Sequence, residues 1–102
     1  MKYGVYSVYD TATAMYLRPF YFQTDGQALR FFQDVSVSAE SEIAKHPEDY
    51  TLFKLGEFDD NKGSFQGEHP KSLATALEMV AKSRQIDPGS LKQEPPQLQE
   101  VN

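Results

Sequence analysis

His46, Glu48 and Asp49 stand within four residues of one another and carry the side-chain types that ligate metals or move protons. No further ligand has a diagnostic spacing to them; His69 is too remote in sequence, and Pro47 in their midst marks a turn with a polar rim. Asp59-Asp60-Asn61-Lys62-Gly63 has the look of a calcium loop, but Gly is displaced from its required place and no Glu closes the loop. Glu57 and Asp59 alternate onto one strand face beside that turn, where carboxylates are ordinarily solvated. No glycine-rich phosphate loop and no serine-centred nucleophile motif is present. The chain has no Cys, hence no disulfide, thiolate site or Cys nucleophile. These residues predict a protein that is not an enzyme and holds neither metal nor cofactor.

The aromatic residues carry a stronger signal. Six Tyr and seven Phe without a Trp exceed what so short a chain needs for its core. Sheet-borne rings can stack on bases, each stack contributing roughly 1–3 kcal/mol with little regard to sequence. Tyr6, Tyr16 and Phe53, with Arg18 and Lys54 as neighbouring cations, are the candidate residues for contact with nucleic acid or a partner. The competing reading makes Tyr3, Tyr6, Tyr16 and Tyr21 core residues, or the contact of a homodimer.

Elements to position them can be read from periodicity. Lys2–Tyr9 alternates and is rich in β-branched and aromatic residues, which predicts a strand. Asp10–Thr13 is a turn, and Ala14–Phe22 returns as a second strand, placing Tyr16, Phe20 and Phe22 on one face. Pro19 cannot donate to a ladder, so that strand lies at an edge or is bulged. Thr24 and Gln27 form a capping box, and Ala28, Phe31, Phe32 and Val35 then make an apolar helical stripe over Asp25–Val35. Ser38 could cap a short turn that buries Ile43 before Pro47 stops it. Tyr50–Phe58 is apolar on both alternating faces, which suits a central strand, and Asp59–Gly63 turns the chain back into Ser64–Gln66. Pro70 suits the first turn of a second helix, with Leu73, Ala76, Leu77 and Val80 as its stripe.

The expected fold is α+β: a four-stranded antiparallel sheet from two hairpins, in ββαββα order, with both helices on one face. Residues 1–85 form a single domain, and Ile86–Asn102, rich in Pro and Gln, is a disordered tail. No long apolar run and no hydrophobic leader occurs, so a soluble chain without membrane contact is expected. The net charge of −5, with dispersed Lys and Arg, argues against binding dominated by phosphate contacts.

From its first residues to about Val80 the chain resembles the small non-structural protein of the gokushovirus branch of the microviruses, small phages with circular single-stranded DNA. The residues that carry the resemblance are Tyr6-Ser7-Val8-Tyr9-Asp10, Pro19-Phe20 and Thr24 through Phe32. The run from His46 to Asp60, closed by Gly63, is the most specific, and Pro70-Lys71-Ser72-Leu73 also fits. The resemblance implies a protein made in the host bacterial cytoplasm and absent from the virion. It implies a role at the switch to single-stranded genome synthesis, by binding single-stranded DNA or by acting on phage or host replication proteins as a homo-oligomer, in the simplest case a dimer. Lys2, Arg18, Lys54 and Lys62 discriminate the two: gathered on one aromatic face they favour DNA, and scattered they favour protein.

Overall fold

The computed structural model describes residues 1–84; the tail expected over Ile86–Asn102 lies outside the described residues. In chain order the elements are β1 (Lys2–Asp10), β2 (Met15–Tyr16), β3 (Phe20–Phe22), α1 (Asp25–Val37), α2 (Glu42–Lys45), a single 3-10 turn (Pro47–Asp49), β4 (Tyr50–Asp59), β5 (Ser64–Thr75) and α3 (Ala76–Arg84). The fold is α+β and the sheet antiparallel, as its hairpins predict. Its strand order is β2-β1-β4-β5, with β3 pairing β1 on the same side as β2. Among the described residues five strands and three α-helices thus stand where four and two were expected.

The extra strand arises at Pro19. Tyr9 pairs with Tyr16, yet Tyr6 pairs with Phe20, so the outer strand carries one more residue than β1 between those pairs. Leu17 N–H still donates to Val8 O at 2.8 Å, and the ladder then fails at Arg18-Pro19. This is an edge bulge, one of the places where a residue without an N–H is tolerated. Ser7 Oγ donates to Leu17 O at 2.6 Å and supplies the carbonyl with a partner. A one-residue slip reverses which side chains share a face. Tyr16 therefore stands with Tyr21, not with Phe20 and Phe22 as simple alternation over Ala14–Phe22 had it.

β4 is central, between β1 and β5, as its two apolar faces require. Val5 pairs with Gly56 and Tyr6 with Lys54, leaving Leu55 in a bulge. Across β4, Gly67 pairs with Gly56 and Lys71 with Lys54, so Glu68-His69-Pro70 bulge outward opposite Leu55. Pro70 consequently lies on a free sheet edge, and no helix begins there. The helix begins after Thr75, whose Oγ1 accepts from Glu78 N–H at 3.1 Å while Glu78 Oε1 accepts from Thr75 N–H at 2.7 Å. That reciprocal pair is a capping box at Thr75-Ala76-Leu77-Glu78. The β4–β5 turn is as expected, with Gly63 at φ 65° and its N–H donating to Asp59 O at 2.8 Å.

α1 opens on the expected capping box, Gln27 N–H donating to Thr24 Oγ1 at 3.1 Å. Ser41 rather than Ser38 caps α2, accepting from the N–H groups of Ile43 and Ala44. α1 and α3 pack together over one sheet face. Tyr6, Val8, Leu52 and Ala74 from the strands meet Ala28, Phe32, Ala76 and Met79 from the helices in one core. Phe20 and Phe22 border it, and Phe31 closes that border with its ring centroid 5.0 Å from Phe20. Of the stripe expected in the last helix Ala76 is buried, but Leu77 is 51% exposed and Met79 turns inward in its place, because α3 starts later than Pro70.

Candidate functional site

Paired strand residues share a face, so the register defines the side of the sheet that no helix covers. Tyr3, Val5, Ser7 and Tyr9 of β1 stand there with Tyr16 and Tyr21 of the edge. Thr51, Phe53, Gly56 and Phe58 of β4 and Phe65, Gly67, Ser72 and Thr75 of β5 complete it. No charged side chain occupies any paired position of this face.

The rings fall into two clusters. At one end Tyr9, Tyr16 and Phe53 meet edge to face, Tyr16 lying 4.8 Å from Tyr9 and 5.5 Å from Phe53 between centroids. At the hairpin end Phe58 lies 4.8 Å from Phe65 and 5.9 Å from Tyr21. With Tyr3 these line a shallow apolar cavity of about 420 Å³. These separations suit aromatic contact, yet the rings keep much of their surface: Phe65 is 64%, Tyr21 43% and Tyr16 42% exposed.

The candidate residues divide between the two faces. Tyr16 and Phe53 touch one another on the open face, and Arg18 is exposed in the bulge two residues from Tyr16. Tyr6 is fully buried beneath the helices, so its ring is closed to any base or partner. The reason is local: Gly4, lacking a side chain, leaves the space into which the Tyr6 ring folds. The Tyr6 hydroxyl donates to Asp25 Oδ1 at 2.7 Å, and Lys54 Nζ lies 3.6 Å from the same oxygen. Burial, then the bond to Asp25, raises the Tyr6 hydroxyl above the ordinary tyrosine range. The Tyr6 hydroxyl, followed by the charges of Lys54 and Lys71, holds the Asp25 carboxyl below the usual carboxylate range. Lys54 is thus committed to the helix side, where it ties the start of α1 to the sheet.

The cations are scattered. Lys2 pairs with Asp59 and Lys54 with Tyr6, both on the face opposite the open aromatic clusters. Lys62 occupies the hairpin turn, where it and Lys2 share a small recess with Glu57 and Asp59. Lys2 and Lys54 adjoin Tyr3 and Phe53 in sequence, yet strand alternation turns them to the other side; Arg18 is exposed in the bulge, outside the paired positions.

His46, Glu48 and Asp49 do come together, each offering a ligand atom within 4.8 Å of the others. Their geometry is that of the turn itself. His46 Nδ1 is 4.0 Å from Glu48 Oε2, both side chains exposed, and Asp49 O accepts from Thr11 N–H at 2.9 Å to fasten the turn to the end of β1. No helix among the described residues is long and apolar enough to cross a membrane.

The fold is thus an antiparallel sheet with helices on one side and uncharged rings on the other. The family model of the phage ORF5 protein matches residues 3–79, and the chain belongs to that bacteriophage family. No curated protein and no solved structure matches it.

Proposed function

We propose that this is a non-enzymatic accessory protein of a gokushovirus-type phage, acting in the host cytoplasm during viral genome replication. It works by protein contact through its open aromatic face. The observation that carries this reading is the segregation of rings from charge. Binding to a nucleic-acid strand combines stacking with a basic track for the phosphates. Here Lys2 and Lys54 project to the opposite side of the sheet from Tyr16, Phe53, Phe58 and Phe65. An uncharged aromatic patch is what the centre of a protein interface needs.

A second reading keeps single-stranded DNA as the partner and confines it to one end of the face. Tyr9, Tyr16 and Phe53 converge there, and Arg18, exposed in the bulge two residues after Tyr16, is the cation that would meet a phosphate. Titration of a labelled single-stranded oligonucleotide at low and physiological salt, followed by anisotropy, separates the two. No binding at low salt supports protein contact. Saturable, salt-sensitive binding that disappears in Tyr16→Ala and Phe53→Ala transfers the face to DNA. The role in replication is tested in infected cells, by the ratio of double- to single-stranded viral DNA when the phage gene carries Phe53→Asp. An unchanged ratio and yield would remove it.

A further inference from the structure

The hairpin end of the open face carries both a projection and a recess. Phe65 is the most exposed aromatic residue of the described chain, and it stands at the rim of the cavity it lines with Tyr3, Tyr21 and Phe58. A two-fold interface presents the same patch from both sides, so a patch must hold its own complement. This one does. We propose that the occupant is a second copy of this chain, packed face to face so that each Phe65 enters the other's ring-lined cavity. The proposal rests on the reading of the open face as a protein-contact surface and names its partner.

Two further observations are compatible with self-contact at this face. The chain carries a net charge of −5, and two copies meeting through most of their surface would repel. The paired positions of the open face are uncharged, so here self-contact meets no like charge. The area also suffices. Tyr and Phe side chains bury roughly 150–250 Å² each when fully covered. The exposed share of the rings on this face supplies on the order of 500 Å² per copy, near the size at which specific interfaces begin. The cavity of about 420 Å³ accommodates one phenyl ring from across the two-fold.

The test is sedimentation of the purified full-length protein across a concentration series, beside Phe65→Asp and Leu77→Asp. Leu77, exposed on α3, is the control for a charge placed on an apolar surface residue away from the sheet face. Wild type should move from 11.6 kDa towards twice that mass. Leu77→Asp should behave likewise, and Phe65→Asp should dissociate at least about tenfold more readily. Circular dichroism checks each variant's fold. A thiol readout does not depend on Phe65→Asp folding: the chain has no Cys, and a Cβ at Gly67 meets nothing within 4 Å. Gly67→Cys should form disulfide-linked dimers on mild oxidation and Lys82→Cys should not. A wild type that stays monomeric at about 100 μM, or equal crosslinking at both positions, overturns the second copy. Those outcomes leave the wider reading of the face to the DNA titration, which judges it separately.

Discussion

The Tyr6 hydroxyl and the Asp25 carboxylate, nineteen positions apart, meet at 2.7 Å where the first turn of α1 crosses β1. Lys54 closes the group from β4. This contact fixes the helix layer on the sheet, and its loss should be felt in stability. Tyr6→Phe keeps the ring and removes the donor. A bond to a charged acceptor contributes about 1.5–3 kcal/mol, and the partial exposure of Asp25 places the expected loss at the lower end. Urea unfolding of the two proteins measures it; equal midpoints would mean that water replaces the hydroxyl at no cost.

The same pair makes stability depend on pH at both extremes. Asp25 is held below its ordinary value in the folded state, chiefly by the Tyr6 hydroxyl. Its contribution is therefore complete above about pH 4, where the unfolded carboxyl is also ionised, and drains away as pH falls through the folded value. Tyr6 is raised, so its contribution is complete below about pH 10 and is lost as pH climbs towards the folded value. Denaturation midpoints of wild type and Tyr6→Phe should converge in acid and in alkali and differ most near neutrality. A constant gap across the range would exclude the pair as the source.

Gly56 lies against β5 so closely that an added Cβ would run into the Gln66 carbonyl oxygen. Gly56→Ala must push the hairpin strands apart, and overpacking of this kind costs about 1–3 kcal/mol. Gly67→Ala, on the paired residue with open space around it, is the control and should be nearly neutral. Comparable thermal midpoints for the two variants would refute the close approach.

Thr75 both ends β5 and starts α3. Thr75→Ala removes one half of the capping box with Glu78, an expected cost of about 1 kcal/mol. Glu78→Ala should cost a comparable or smaller amount, and the double variant less than the two together, because the bonds are reciprocal. Strict additivity would show that the two residues act separately.

Much of this architecture is legible in the sequence wherever a local rule and the tertiary environment agree. Thr24 with Gln27 announces α1, and Gly63 announces the hairpin, because each meets a requirement that its own neighbours impose. The second capping box, Thr75 with Glu78, was equally visible, but Pro70 offered a rival helix start that only the position of β5 at the sheet edge overrules. The bulges at Arg18-Pro19 and Leu55 are a different matter. Nothing within either strand states that one residue is to be skipped; the pairing partner decides it. Alternation therefore put Tyr16 with Phe20 and left the burial of Tyr6 undecided. The absence of a Gly4 side chain, which admits the Tyr6 ring, was the available clue. Tyr16 and Phe53 were found as a surplus of rings, whereas the segregation of Lys2 and Lys54 from them depends on strand register.

The extra residue at Arg18-Pro19 acts as a parity switch between the two sides of the molecule. Core-facing Phe20 and Phe22 and outward-facing Tyr16 all sit at even positions, and only the bulge lets them serve opposite surfaces. Deleting one residue there forces a choice: either Tyr16 leaves the outer surface or the two phenylalanines leave the core. The outer face of this edge can therefore be rewritten by a change in length as well as by substitution, while β1 beneath it keeps every residue it has.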